Sequence, residues 1–108
     1  MPFKSIVAAN IGTSGSPTTV TAAVSSGQTQ TLIGLAFANT TASNVTVSAK
    51  LNKSGGSSAF LVKDATVLPG GALAIVGGAQ KVVLEQGDSV TAYASAASSV
   101  DATLSYLV

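Results

Sequence analysis

Apolar and polar residues alternate along this chain in short runs, and small polar turns separate the runs. The clearest one-sided run is Val45, Val47, Ala49 and Leu51, alternating with Thr46, Ser48, Lys50 and Asn52. A period of two places alternate side chains on opposite faces, so this run predicts a strand with one face buried. The stretch Val82–Ser95 shows the same grammar twice. Val82–Leu84 and Val90–Ala94 flank Glu85-Gln86-Gly87-Asp88 and read as a hairpin, with Gly87 free to adopt φ > 0 and Asp88 suited to a turn.

Further strands are predicted over Phe3–Ile11, Thr18–Val24, Thr29–Asn39, Ala59–Lys63, Thr66–Leu68, Ala72–Val76 and Val100–Val108, with Gln80–Leu84 leading into the hairpin. Asp64-Ala65 reads as a bend between two of them. The breaks are rich in Gly, Ser, Thr and Asn, and Pro69-Gly70-Gly71 and Gly77-Gly78 are the sharpest. Ala92–Ala102 is rich in Ala, but Ser, Thr and Val fill its other positions and argue against a helix. Eight to nine short strands, with turns about every ten residues, predict an all-β sandwich or barrel. The expected fold is an antiparallel β-sandwich, jelly-roll-like, with residues 1–108 forming a single domain.

Leu32–Ala38 is the most apolar run. Strict alternation puts Ile33, Leu35 and Phe37 on one face, which suits a core. It puts Leu32, Gly34, Ala36 and Ala38 on the other, where small side chains permit close approach by another sheet or another subunit. A strand apolar on both faces is central or buried at an interface, and both can hold together. Leu32, Gly34, Ala36 and Ala38 are therefore the candidate interface residues.

Composition narrows the function classes. Only 8% of residues are charged, against roughly 25% in an average soluble domain. Such a surface belongs either to a small β domain low in charge or to a subunit largely covered in an assembly, and weak charge favours association. The net charge of +1 provides no footprint for nucleic acid or an anionic membrane surface. No apolar run approaches the roughly 20 residues a membrane helix needs. The N-terminal stretch is too polar for a signal peptide, and Val100–Val108 predicts a structural rather than trailing C-terminus.

Catalytic chemistry is poorly provided for. The chain has no His and no Cys, so a nucleophilic Ser or Thr would depend on Lys4, Lys50, Lys53, Lys63 or Lys81 as base. Asp64, Glu85, Asp88 and Asp101 fall in predicted turns or on polar strand faces, where solvated surface is the simpler role. No calcium loop and no thiolate site is present, so no metal or cofactor is expected. The sequons at Asn39, Asn44 and Asn52 read as chance in a Ser/Thr-rich chain. Tyr93 and Tyr106 are the residues from which a small sugar-stacking platform would be built.

Three stretches carry a resemblance: LIGLAFANTTASNVTVSAKL, VLPGGALAIVGGAQKVVL and EQGDSVTAYASAASSVDATLSYLV. From Leu32 to Val108 the chain resembles small all-β virion proteins of tailed bacteriophages, namely head decoration (cement) proteins and head–tail neck or tail pieces. The L-x-x-GD-x-V hairpin also occurs in unrelated jelly rolls, including trimeric ligand-type and sugar-binding ones. The resemblance implies a non-enzymatic virion structural protein, most simply a capsid decoration protein, assembled in the bacterial host cytoplasm. Its implied partners are the major capsid protein or neck and tail proteins, and other copies of itself, as a homotrimer. A neck or tail component and a small carbohydrate-binding module are the rival readings. The resemblance transfers no functional residues, because such proteins work through surfaces.

Overall fold

The computed structural model describes residues 3–76 and 81–108. Within them are nine strands: β1 (Phe3–Ala8), β2 (Thr18–Thr21), β3 (Gln30–Asn39), β4 (Val45–Asn52), β5 (Ser58–Val67), β6 (Ala72–Val76), β7 (Val82–Leu84), β8 (Ser89–Ala94) and β9 (Val100–Leu107). No helix occurs among the described residues. Sheet A has the order β1-β9-β3-β6, with β7 also on β3; sheet B has the order β2-β8-β4-β5. All pairings are antiparallel.

The pairs are nested. β4 pairs with β5, β3 with β6 and β7, β2 with β8, and β1 with β9. One long hairpin rolled across two sheets produces this order, in keeping with the expected jelly-roll-like sandwich. β6 lies along Leu35–Ala38 and β7 along Gln30–Leu32, so together they fill one strand position beside β3.

The core lies between the sheets. Leu32, Leu35, Phe37, Leu84 and Leu104 enter from sheet A, and Val47, Ala49, Val90 and Ala92 from sheet B, all essentially inaccessible to water. β8 follows strict alternation, with Val90, Ala92 and Ala94 buried and Thr91 and Tyr93 on the other face. β4 follows it except at Ser48, which is also buried.

Outside β3 the structure differs from the alternation in four places. First, Val82–Leu84 and Ser89–Ala94 are not a hairpin: β7 belongs to sheet A and β8 to sheet B, so residues 85–88 arch across the core. Second, β1 stops at Ala8, because Asn10 turns at φ 55°. Ile11 is still buried, and its N–H donates to Val100 O at 2.9 Å. Third, β2 ends at Thr21 after a register shift, although Val24 remains in the core. Fourth, the two strands expected around Asp64-Ala65 are one strand, β5. The ladder with β4 shifts register twice there, and Asp64 absorbs one irregularity at φ 51°. Gly77-Gly78 and Gln80 lie outside the described residues.

Turn chemistry holds where the sequence is most explicit. Pro69 and Gly70 occupy the central positions of a turn in which Gly71 N donates to Leu68 O at 2.9 Å, and Gly70 takes φ 68°. That is the type II pattern, Pro then Gly.

Candidate functional site

A sheet-built protein presents chemistry on its two outer faces and at its loop ends. The outer face of sheet A follows from the strand register. One row across it is Phe3, Leu107, Thr31 and Val83, contributed by β1, β9, β3 and β7. A second is Val7, Thr103, Ala36 and Ala74, on β1, β9, β3 and β6. Between them Ser5, Ser105 and Gly34 line up, and beyond them Asp101, Ala38 and Ala72. Asp101 is the only charged side chain in these rows, and it accepts a hydrogen bond from Asn10 N at 2.8 Å. Phe3 and Val7 are 73% and 72% exposed, and Val83 is 54% exposed. Large apolar side chains left in water at this level stand around a floor of Gly, Ala, Ser and Thr, and form an exposed patch of the kind through which proteins meet partners.

Three of the four candidate interface residues lie on this face: Gly34, Ala36 and Ala38. Leu32 does not. The register of β3 against β9 shifts between Leu32 and Gly34, so Ile33 is an extra residue in β3. A bulge makes two residues oppose one and restarts the alternation. Leu32, opposite Tyr106, is therefore fully buried in the core. Ile33, expected in the core, is only half-buried and lies outside the core cluster. Leu35 and Phe37 occupy the core as expected. Phe3, Val7, Val83, Ala72 and Ala74 join the face only through cross-strand register, and nothing local in the sequence marks them.

The outer face of sheet B is different. Its central row is Thr19, Thr91, Lys50 and Phe60. The Lys50 and Lys63 ammoniums lie 5.1 and 5.4 Å from the centre of the Phe60 ring, within cation–π range. Asn52 Nδ2 donates to Thr91 Oγ1 at 3.1 Å, and Ser48 Oγ accepts from Asp64 N at 2.9 Å. This face is polar and internally bonded.

At one loop end the 85–88 arch meets the β4–β5 loop in an open groove of about 480 Å³, lined by Gly27, Gln28, Thr29, Lys53, Ser54, Glu85, Gln86 and Asp88. Asp88, expected at the solvated surface, is 1% exposed. Its Oδ1 accepts from Ser54 N at 3.0 Å, and its Oδ2 from Glu85 N at 2.9 Å and from Lys53 Nζ. Lys53 also donates to Glu85 Oε1 at 3.1 Å. The Lys53 hydrogen bond, with those from the Glu85 and Ser54 amides, holds the Asp88 carboxyl below its usual range. The same contacts, Asp88 foremost, raise Lys53 above its usual value. A carboxylate whose oxygens are all taken is a structural tie between loops, and the lysine that would serve as a base is held charged.

The remaining candidates do not converge. Asp64 sits at the β5 irregularity with Ser48, and Asp101 holds the residue-10 turn. Asn39 Nδ2 donates to Ser43 O and Val67 O, so that sequon amide is engaged inside the fold. Tyr93 lies on the outer face of sheet B, while Tyr106 packs against the core from sheet A. They form no shared platform. Among the described residues, no group of three or more Asp or Glu side chains is placed to hold a metal ion, and no helix is long and apolar enough to cross a membrane. No family model, no curated protein and no solved structure matches this chain.

Proposed function

We propose that this chain is a non-enzymatic structural subunit of a tailed-bacteriophage virion, a capsid decoration protein that acts through its surface and self-associates. The observation that carries this reading is the outer face of sheet A: an apolar rim of Phe3, Val7 and Val83 around small residues, with Asp101 as the one charge in the paired rows among the described residues. A surface of this kind suits permanent contact with protein better than solution or turnover. The tie of Lys53 to Asp88 and Glu85 agrees with it, because the best-placed groove spends its charged groups on holding loops together. The separation of Tyr93 from Tyr106 removes the stacking platform on which a carbohydrate-binding reading was built.

The test is incubation of purified protein with undecorated capsids of the phage whose genes surround this one, followed by sedimentation. Co-pelleting that saturates at a fixed ratio to the major capsid protein is expected. Binding to tails or necks but not to capsids moves the protein along the particle. Binding to no particle component refutes the virion reading.

A further inference from the structure

The outer face of sheet A needs an occupant, and its geometry restricts the choice. Strands lie about 4.8 Å apart and rise about 3.3 Å per residue, so four strands over eight residue levels cover about 500 Å². Two such faces together reach about 1,000 Å², the lower bound of a specific interface. Asp101 is the only charge in the rows, so a strongly charged partner finds nothing to pair with there. An identical face brings only a second Asp101, already in contact with Asn10 N.

Edge-to-edge pairing is guarded against at three of the four sheet edges, β6 and β7 forming the fourth. β5 is interrupted by two register shifts, β2 is four residues long, and Lys4 of β1 stands opposite Tyr106, on the inner side of the sheet. Bulges, short edges and inward charges are devices that prevent strand addition. The face itself has no such guard. Its centre is Gly34, Ala36 and Ala74, and a Cβ added at Gly34 would have nothing nearer than 3.9 Å.

We infer that the outer face of sheet A takes a second copy of this chain, packed sheet against sheet. The inference rests on reading the chain as a structural subunit, and it names the partner of that surface.

The experiment uses purified full chain. Sedimentation velocity and light scattering should give at least twice the 10.5 kDa protomer mass. Ala36→Glu and Val83→Lys should give folded monomers with unchanged circular dichroism, while Thr66→Glu, on the opposite outer face, should leave the oligomer mass unchanged. The chain lacks cysteine, so a single spin label at Ala38→Cys reports the neighbour directly. Sheets packed face to face lie about 10 Å apart, so the two labels fall within the distance range of dipolar spectroscopy, whereas a monomer gives no coupling. A closed ring of three or more copies sets a different surface against this face and overturns the packing of sheet against sheet. A wild type that stays monomeric at high concentration, or an Ala36→Glu variant that stays assembled, overturns the inference. Capsid binding separates the two proposals. Self-association without capsid binding leaves this inference and removes the virion reading, and capsid binding by a monomer that Ala36→Glu abolishes does the reverse.

Discussion

The bulge at Ile33 makes a quantitative prediction, because it exchanges the roles of two neighbouring side chains. Leu32 is 0% exposed, between Tyr106 on β9 and Val82 on β7. Leu32→Ala removes three fully buried carbons, about 2.4 kcal/mol at about 0.8 kcal/mol each. The cavity left behind brings the cost to about 3–5 kcal/mol. Ile33→Ala removes the same number of carbons from a half-buried site outside the core cluster. That loss is about 1–2 kcal/mol, part of it β-propensity. At about 4 °C per kcal/mol for a domain near this size, Leu32→Ala should melt roughly 12–20 °C below wild type, and Ile33→Ala only about 4–8 °C below it. Thermal and urea melts followed by circular dichroism, at a concentration where every variant is monomeric, read both values. Strict alternation through β3 demands the opposite ranking. An Ile33→Ala loss equal to or larger than that of Leu32→Ala would falsify the bulge and the face assignment built on it.

Glycine positions separate in the same way. Gly87 has φ 86° and an added Cβ would lie 2.5 Å from Ser54 Cβ, so Gly87→Ala should markedly lower the melting temperature, whereas Gly34→Ala, with room and no positive φ, should melt within a few degrees of wild type. Asp88 contributes stability that is present above the unfolded carboxylate value of 3.8 and is lost as pH falls through its lowered folded value; Lys53 contributes stability present below 10.5 and lost as pH rises through its raised one. With no His in the chain, melting temperature should form a plateau between about pH 4 and 10, and Asp88→Asn should lower that plateau while weakening its acid limb; an acid limb as steep as wild type in Asp88→Asn would contradict this. Raising salt across the screening range should leave the oligomer mass unchanged, since an apolar face holds the copies; dissociation at moderate salt, seen by light scattering, refutes that.

What could be read from the sequence is what period-two alternation encodes. β4 and β8 announce their inner faces one residue at a time, and Pro69-Gly70 names its own turn. An all-β sandwich or barrel follows from the number and spacing of such runs; the jelly-roll order of the strands comes from their pairing. Alternation is silent on phase breaks: nothing in LIGLAF marks Ile33 as the extra residue, because all its neighbours are apolar or Gly. It is equally silent on which sheet a strand joins. Residues 82–94 look the same whether the turn closes a hairpin or arches over the core, and only the partners β3, β2 and β4 decide. Asp88 looked solvated because its ligands, Lys53 and Ser54, lie more than thirty positions away. The outer face of sheet A was half legible: Gly34, Ala36 and Ala38 belong to one strand, but Phe3, Val7, Val83 and Ala74 reach it only through register.

The nesting of the strands also sets an order of events in time. β9 lies between β1 and β3, and the residues it pairs with on β1 stand 94 to 104 positions earlier. Among the described residues β1 has no other ladder partner, so during synthesis it waits until nearly a hundred residues have followed it. The β4–β5 hairpin closes locally and sheet A is completed last, which makes folding slow for a chain of this size. Throughout that wait Phe37, Leu35 and Leu32 lack their β9 neighbours, and the β9-facing edge of β3 is open to any neighbouring nascent chain. The scarcity of charge that suits the finished surface leaves the unfinished one poorly protected, so the yield of soluble protein should depend on how quickly β9 arrives.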